Sequence, residues 1–291
     1  LRVAVHVPDF AGVGQIPAGE AQAAAIAGSG RVRGSRGKHA AAILNAQAGA
    51  ACGYPWRVPD EATVLDLPGC KSASQRALLL CAVAGGAGEI EGLSECRDST
   101  DLMAALAALG VGFTFAGDPG AGAAILKVSG RPPAALAPQS AAAADLPAGE
   151  GASTLRFLMA LLAAGTADVR LRPAAALAAR PHDELIQLLR SLGARVEAGH
   201  DAAGAFLRVR GAGGFGARSV LIGTLQSSQT LSALWLAAGD APMVWQLDRP
   251  LSSRGYVDLT ADMLRRARGA AALREDAARL VWHQEPGYGR D

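Results

Sequence analysis

Three stretches of this chain share one design, in which a serine-rich turn runs directly into an apolar helix. They are PGCKSASQRALLLCAVAGG from Pro68, GEGASTLRFLMALLAAG from Gly149 and LQSSQTLSALWLAAG from Leu225. Unpaired backbone N–H groups and the positive end of the helix dipole make the start of a helix attractive to anions. Four cations lie close to these turns in sequence: Lys71, Arg76, Arg156 and Arg180. This combination predicts a site for a phosphorylated substrate.

The serine-rich turns belong to a longer repeat. Their aligned serines, Ser74, Ser153 and Ser228, are spaced by 79 and 75 residues. Glycines at predicted helix ends, Gly110, Gly193 and Gly269, are spaced by 83 and 76 residues. Between these markers lie a short strand, an amphipathic helix and two further strands, judged by the periodicity of apolar residues. Each copy therefore reads as strand, helix, strand, helix, strand, strand. His182 falls at the start of one such helix, where we expect an exposed residue.

Composition excludes several classes of protein. The chain has 291 residues, a net charge of +2 and no long basic tract, so nothing favours binding to nucleic acid. Its apolar runs are too short to span a bilayer, and no secretory signal is present. The four cysteines are scattered without a CxxC pair, which disfavours a metal site or a disulfide framework. We expect a cytoplasmic protein with reduced thiols and without a metal or organic cofactor.

The amino-acid composition of the sequence changes near residue 60. Residues 1–60 are rich in Ala and Gly and carry the basic patch RVRGSRGKH from Arg31. This composition is typical of a poorly ordered leader or linker. A remnant of an upstream domain and a transit peptide are the alternatives. The repeats occupy residues 61–291, which we predict to form one domain whose third copy is incomplete.

The motifs within the repeats resemble those of one enzyme family. PGCKSASQRALLL is similar to the PGSKSxSxRALLL signature of the 3-phosphoshikimate 1-carboxyvinyltransferase (EPSP synthase) family, with Cys70 in place of the usual serine. GEGASTLRFLMALLA resembles that family's phosphoenolpyruvate loop, GNAGTxxR. Three later stretches, ARPHDELIQLLRSLGA, SSQTLSALWLAA and SSRGYVDLTADML, resemble ERPIxxLLxALRxLGA, SSQFLSALLLAA and SKPYIDxTLxxM in the same order. The resemblance covers roughly residues 62–291 and implies an α/β fold of repeated βαβαββ units, with helices inward and sheets outward.

The resemblance also implies substrates and contacts. The family transfers an enolpyruvyl group from phosphoenolpyruvate to shikimate 3-phosphate in the shikimate pathway, which leads to chorismate and aromatic amino acids. The positions that match its shikimate 3-phosphate ligands are Lys71, Ser72, Arg76, Ser227, Ser228, Gln229, Ser253 and Tyr256. The positions that match its phosphoenolpyruvate ligands are Lys71, Gly151, Ala152 and Arg180. Hydroxyls and amides suit phosphate, and arginine binds a carboxylate or phosphate through two N–H groups.

The chain departs from the family pattern in several places. The acid and base carboxylates of the family come from a second domain, and no KESDR-like or DHR-like stretch is present here, so we expect a fused or separate domain to supply that half. Glu150 stands where the phosphoenolpyruvate loop usually has Asn, an acid beside a site for an anion. The methyl group of Ala152, where many members have glycine, is expected to narrow the pocket and disfavour the inhibitor glyphosate. The PRM triplet that usually precedes ERP reads AAL from Ala175.

Two other functions stay open at this point. A non-catalytic fragment or binding module would retain the phosphate-binding half without the catalytic partner. UDP-N-acetylglucosamine enolpyruvyl transferase belongs to the same superfamily, but its signature has Asn after the first lysine and a reactive cysteine in a mobile loop. Here Ser72 follows Lys71, and no cysteine lies beyond Cys96. The sequence therefore favours the shikimate 3-phosphate enzyme.

Overall fold

Three similar units follow one another along the chain in this computed structural model. The structure describes residues 2–6, 41–42, 65–66, 69–116, 125–223, 225, 227–239, 241–251, 253–278 and 280–286. Unit 1 contains β1 (Arg2–His6), β2 (Ala41–Ala42), β3 (Leu65–Asp66), α1 (Lys71–Val83), β4 (Ala87–Glu91), α2 (Arg97–Ala108), β5 (Gly112–Ala116) and β6 (Ile125–Ser129). Unit 2 contains β7 (Asp145–Gly149), α3 (Ala152–Ala164), β8 (Asp168–Pro173), α4 (Ala175–Ala178), α5 (Asp183–Ser191), β9 (Arg195–Asp201) and β10 (Gly204–Arg210). Unit 3 contains β11 (Arg218–Ile222), α6 (Ser228–Ala237), β12 (Met243–Leu247), α7 (Arg254–Arg268), β13 (Leu273–Asp276) and β14 (Val281–Gln284).

Each unit contributes one four-stranded sheet of the same order. The orders are β1-β4-β6-β5, β7-β8-β10-β9 and β11-β12-β14-β13. In units 2 and 3 the first strand runs parallel to the second and leads directly into a helix. The remaining pairs in each sheet are antiparallel. The predicted βαβαββ unit is therefore confirmed.

The helices lie inside and the sheets lie outside. Helices α1, α3 and α6 carry apolar residues around most of their circumference, and nearly all of their residues beyond the first turn are buried. A helix that is apolar on every side is stable only in the interior. Along β8, buried residues alternate with partly or fully exposed ones, so one face of the sheet packs on the helices. The predicted placement of helices and sheets is confirmed.

The strand before α1 in unit 1 pairs differently from its equivalents. The sequence indicates a strand at Val64–Leu67 that ends just before α1, and the structure has β3 (Leu65–Asp66) there. Unlike β7 and β11, β3 pairs with Ala41–Ala42, and β1 occupies the position beside β4 in the antiparallel direction, with Arg2 opposite Glu91. The free edge of β4 offers N–H and C=O groups that an extended segment of either direction satisfies. Most of the predicted leader at 1–60 lies outside the described residues, so its disorder stays a prediction.

Glycines follow the last α-helix of each unit, α2, α5 and α7, in the same way. Gly110, Gly193 and Gly269 have φ angles of 96°, 99° and 93°. Side chains with a Cβ rarely adopt this left-handed region, whereas glycine adopts it freely and stops a helix there. The glycine spacing that marked the repeat is thus a set of equivalent helix ends. Among the described residues, no helix has the length and apolar character needed to cross a membrane.

Candidate anion-binding site

The starts of four helices meet at one cavity. Helices α1, α3, α6 and α7 each direct their first turn toward a space of about 300 Å³. The described residues that line it are Lys71, Ser72, Arg76, Ser153, Ser227, Ser228, Gln229, Ser253 and Tyr256. Each helix start brings unpaired N–H groups and the positive end of its dipole. The cavity therefore combines two cations, hydroxyls and partial positive charge, a chemistry suited to an anion.

All eight residues predicted to contact shikimate 3-phosphate line this cavity. The structure adds Ser153, which the motif comparison left out of the site. The repeat itself contained the signal for this residue, because Ser153 aligns with Ser228 in the serine-rich turns. Applying the repeat to the site as well as to the fold identifies Ser153 without any structure.

Lys71 stands at the mouth of the cavity in an ion pair. Its Nζ lies 2.9 Å from Oδ2 of Asp98, in the first turn of α2. The hydrogen bond to Asp98 raises the pKa of Lys71, although partial burial acts in the opposite direction. The side chain is 52% exposed, so the ammonium group is both charged and accessible to a ligand.

Arg76 lies deeper, with 2% of its surface exposed. Its Nε donates to Thr260 Oγ1 at 2.7 Å, and its Nη2 donates to Ser232 Oγ at 3.1 Å. It also donates to the main-chain oxygens of Ser72 at 2.8 Å and Tyr256 at 3.3 Å. Burial lowers the pKa of Arg76 to about 10, so the guanidinium stays charged at neutral pH. Because four of the five N–H groups of an arginine are thus used, Arg76 chiefly holds α1 to α6 and α7.

The start of α6 is organised by its own capping residue. Ser227 Oγ accepts a hydrogen bond from the main-chain N–H of Gln229 at 3.2 Å, as an N-cap serine does. The side-chain oxygen of Gln229 accepts from Arg156 Nη1 at 2.5 Å. Burial lowers the pKa of Arg156, and the positive charge of nearby Arg180 lowers it further. These contacts fix the polar end of α6 against α3.

Side-chain contacts join the three buried helices in pairs, and three of the residues that make them also line the cavity. Gln75 of α1 bonds to Ser153 and Thr154 of α3 at 2.6 and 2.7 Å. Arg156 joins α3 to α6, and Arg76 joins α1 to α6. Buried polar groups that are satisfied in this way specify one arrangement of their helices. These side-chain hydrogen bonds therefore fix the relative positions of the helix starts around the cavity.

A family model matches the part of the chain that contains these helix starts. The model of EPSP synthase (3-phosphoshikimate 1-carboxyvinyltransferase) matches residues 59–281, more than half of the chain. The chain belongs to the EPSP synthase family. The predicted resemblance is thus confirmed, and the turns around Lys71, Ser153 and Ser228 are EPSP synthase motifs.

The curated proteins and solved structures similar to this chain include members of the same family. The 3-phosphoshikimate 1-carboxyvinyltransferase of Klebsiella pneumoniae subsp. pneumoniae is 34% identical over 207 residues, which are 70% of this chain and 46% of that protein. That of Bordetella petrii is 34% identical over 240 residues, 76% of this chain and 48% of that protein. The EPSP synthase structure from Acinetobacter baumannii superposes with a TM-score of 0.60 at 23% identity, over 76% of this chain and 46% of that one. The chain spans about half the length of the EPSP synthases it matches.

The residues that match the phosphoenolpyruvate ligands of EPSP synthases are placed differently from the shikimate 3-phosphate set. Of this group, Lys71 lines the described cavity. Gly151 is the buried N-cap of α3, Ala152 is its partly buried first residue, and Arg180 is exposed just after α4. Gly151 and Ala152 immediately precede Ser153, but neither they nor Arg180 are among the described residues that line the cavity. Within the described residues, no cluster of three or more His, Cys, Asp or Glu side chains is arranged to hold a metal ion.

His182 is buried, and the prediction that it is exposed was wrong. It is the N-cap residue of α5, 7% exposed, and its Nε2 lies 2.9 Å from the main-chain oxygen of Leu177. Burial lowers the pKa of His182. The contact with Leu177 of α4 ties the ring to the preceding helix. Sequence periodicity does not reveal such a contact between two successive helices.

Adding a methyl group to Gly151 is expected to destabilise the protein by about 1–3 kcal/mol. A Cβ at this position would lie 2.8 Å from Cγ of Asp98, so the carboxylate that pairs with Lys71 must move. Gly255 in α7 is a matched control, because a Cβ there meets nothing within 4 Å. Gly255 is the second residue of α7, where glycine is less favourable than alanine, so Gly255→Ala is expected to stabilise by up to about 0.5–1 kcal/mol. Urea denaturation of both variants checks the pair, and an unchanged midpoint for Gly151→Ala contradicts the contact.

Proposed function

We propose that this chain forms the shikimate 3-phosphate half of an EPSP synthase, which transfers an enolpyruvyl group from phosphoenolpyruvate to that substrate. The observation that carries the proposal is the convergence of four helix starts on one cavity that contains Lys71 and five serines. Helix N-termini with hydroxyl groups and a lysine bind a phosphate through charge-assisted hydrogen bonds. The remaining hydroxyl and amide groups suit the alcohols of a sugar-like ring.

The transfer itself needs more than binding. The substrate hydroxyl adds to a protonated enolpyruvyl group, and the tetrahedral intermediate then expels inorganic phosphate. These steps need a general acid and base, and cations that stabilise the charged intermediate. Lys71 is the cation that this half offers to both substrates. Among the described residues that line the cavity there is no carboxylate. We therefore assign the acid and base to a fused or separate domain that closes over the cavity.

Calorimetric titration of the purified chain tests the proposal. Shikimate 3-phosphate is expected to bind saturably to one site, and shikimate, which lacks the phosphate, is the matched control ligand. Since most of the affinity is assigned to the phosphate, shikimate is expected to bind at least about 100-fold more weakly. Equal affinities for the two ligands, or no binding of shikimate 3-phosphate by the folded chain, would reject the proposal.

A binding module without catalysis is the second candidate. The absence of a carboxylate among the described lining residues favours it. Release of inorganic phosphate from a mixture of both substrates distinguishes the two functions. Saturable binding of shikimate 3-phosphate without phosphate release assigns the chain alone to the binding module. Release that depends on both substrates assigns it to the transferase.

Glu150 allows a test of the phosphoenolpyruvate side. Its Oε1 lies 3.5 Å from Nη1 of Arg97, and both side chains are exposed. We expect Glu150→Asn to raise the affinity for phosphoenolpyruvate about two- to fivefold, because a negative charge beside an anion site is removed. Arg97→Ala is expected to lower the affinity by a similar factor, since it leaves the Glu150 charge unpaired. Fluorescence titration at low ionic strength measures both. A change in the same direction for the two variants would contradict the electrostatic reason.

A further inference from the structure

Gln75 is fully buried directly behind the cavity. It lies in the second turn of α1, and none of its surface is exposed. Its side chain does not line the described cavity, but it contacts Ser153, which does. Gln75 therefore acts on a ligand indirectly, and Ser153 is the residue through which it contacts the cavity lining.

The hydrogen bonds around Gln75 determine which way its amide group faces. Its Nε2 lies 3.3 Å from the main-chain oxygen of Asp98, and a carbonyl oxygen only accepts. The same Nε2 donates to Thr154 Oγ1 at 2.7 Å, and that hydroxyl donates onward to the Asp98 oxygen at 3.2 Å. The NH₂ end thus faces Asp98 and Thr154. The oxygen Oε1 consequently faces Ser153 Oγ, at 2.6 Å.

This orientation fixes the hydrogen-bonding role of Ser153. An amide oxygen has no proton, so the hydroxyl of Ser153 must be the donor. A serine has one O–H, and Gln75 takes it. Ser153 therefore offers the cavity lone pairs alone, which accept a hydrogen bond from a ligand and repel a bare phosphate oxygen.

Hydrogen-bond donors line the same cavity as Ser153. Ser227 Oγ already accepts the N–H of Gln229, so its O–H is free to donate. The Lys71 ammonium group and the unpaired N–H groups of the helix starts are also donors. The cavity thus combines these donors with the Ser153 hydroxyl, whose side chain can only accept.

We propose that Gln75 is a positioning residue that keeps Ser153 an acceptor, so that the cavity selects an anion carrying a free hydroxyl group on the same molecule. This deepens the proposed function, on which it rests for the identity of the natural ligand, because a phosphorylated ring with free hydroxyls has both groups. The donors bind the anion, and Ser153 accepts a hydrogen bond from the ligand hydroxyl. A phosphate ester without the hydroxyl leaves the lone pairs of Ser153 unpaired, which costs affinity.

Small phosphate esters test the inference without shikimate chemistry. The probes are glycerol 3-phosphate, propyl phosphate and inorganic phosphate, titrated by two-dimensional NMR into the wild-type chain and three variants. We expect wild type to prefer glycerol 3-phosphate over propyl phosphate about fivefold. Ser153→Ala removes the acceptor, and Gln75→Met frees the Ser153 proton, so both are expected to lose the preference. Gln75→Glu, whose buried carboxyl group is expected to be protonated, keeps an oxygen for Ser153 to donate to and an O–H for the Asp98 oxygen, so it is expected to retain the preference. Inorganic phosphate should bind all four proteins within about twofold.

The outcomes separate this inference from the proposed function. A preference that survives in Ser153→Ala, or that is absent in wild type although phosphate binds, overturns the role of Ser153. If Gln75→Met does not fold, loss of the preference in Gln75→Glu overturns the role of Gln75 and its retention supports it. Failure of shikimate 3-phosphate to bind while the fragment preference holds overturns the proposed function alone. Failure of every phosphate to bind overturns both.

Discussion

Replacing Arg76 with alanine is expected to destabilise the protein by about 3 kcal/mol, among the largest effects of any single substitution in this chain. The guanidinium is 2% exposed and lies 5.5 Å from the ring centre of Phe157. Its removal leaves the hydroxyls of Ser232 and Thr260 without their charged partner and opens a space between α1, α6 and α7. For a domain of this size, the loss corresponds to a fall in melting temperature of about 6–12 °C.

Two other arginine variants control this experiment. Arg266→Ala removes an exposed arginine of α7 that forms an i,i+4 pair with Asp262, and it is expected to change stability by less than about 0.5 kcal/mol. Arg76→Lys keeps the charge but lacks the planar fork, so we expect an intermediate loss. Thermal unfolding followed by circular dichroism measures all three. Equal melting temperatures for Arg76→Ala and Arg266→Ala would mean that the buried contacts of Arg76 do not hold the helices together.

The repeat made most of the site predictable. A serine-rich turn before an apolar helix indicates a helix start, and three copies at nearly equal spacing indicate three equivalent starts. The role of Arg76 was not predictable in the same way. Its partner Thr260 lies 184 residues away along the chain, so sequence spacing does not show that its donors are used inside the protein. The motif specifies an arginine at this position but does not show whether its side chain is exposed or buried.

The strand before α1 shows that equivalent positions in the repeats do not always pair in the same way. In units 2 and 3 the strand before the buried helix joins the four-stranded sheet, whereas in unit 1 the equivalent strand β3 pairs with β2. The edge of β4 accepts an extended segment from elsewhere in the chain, and Arg2–His6 takes it. Main-chain hydrogen bonding carries little sequence information, so competition between two segments for one edge is not visible in residue types.

Replacing Lys71 with methionine is expected to weaken the binding of shikimate 3-phosphate at least about 100-fold while changing stability by less than about 1 kcal/mol. The side chain is 52% exposed, so it contributes little to the core. Its ammonium group compensates the carboxylate of Asp98 at 2.9 Å. In the variant that carboxylate is unpaired beside the site, and its negative charge repels the phosphate in addition to the lost hydrogen bond.

Two comparisons isolate this charge from a general loss of positive potential. Lys127→Met removes one exposed lysine from β6, where the partner Glu89 is 3.9 Å away, and it should leave affinity unchanged. Adding Asp98→Asn to Lys71→Met removes the unpaired carboxylate, so part of the affinity should return, about fivefold to tenfold. Calorimetry at two salt concentrations measures the series. If Lys71→Met binds within about threefold of wild type, the phosphate is not held at the mouth between α1 and α2. If the double variant binds as weakly as Lys71→Met alone, the negative charge of Asp98 is not what weakens binding in the single variant.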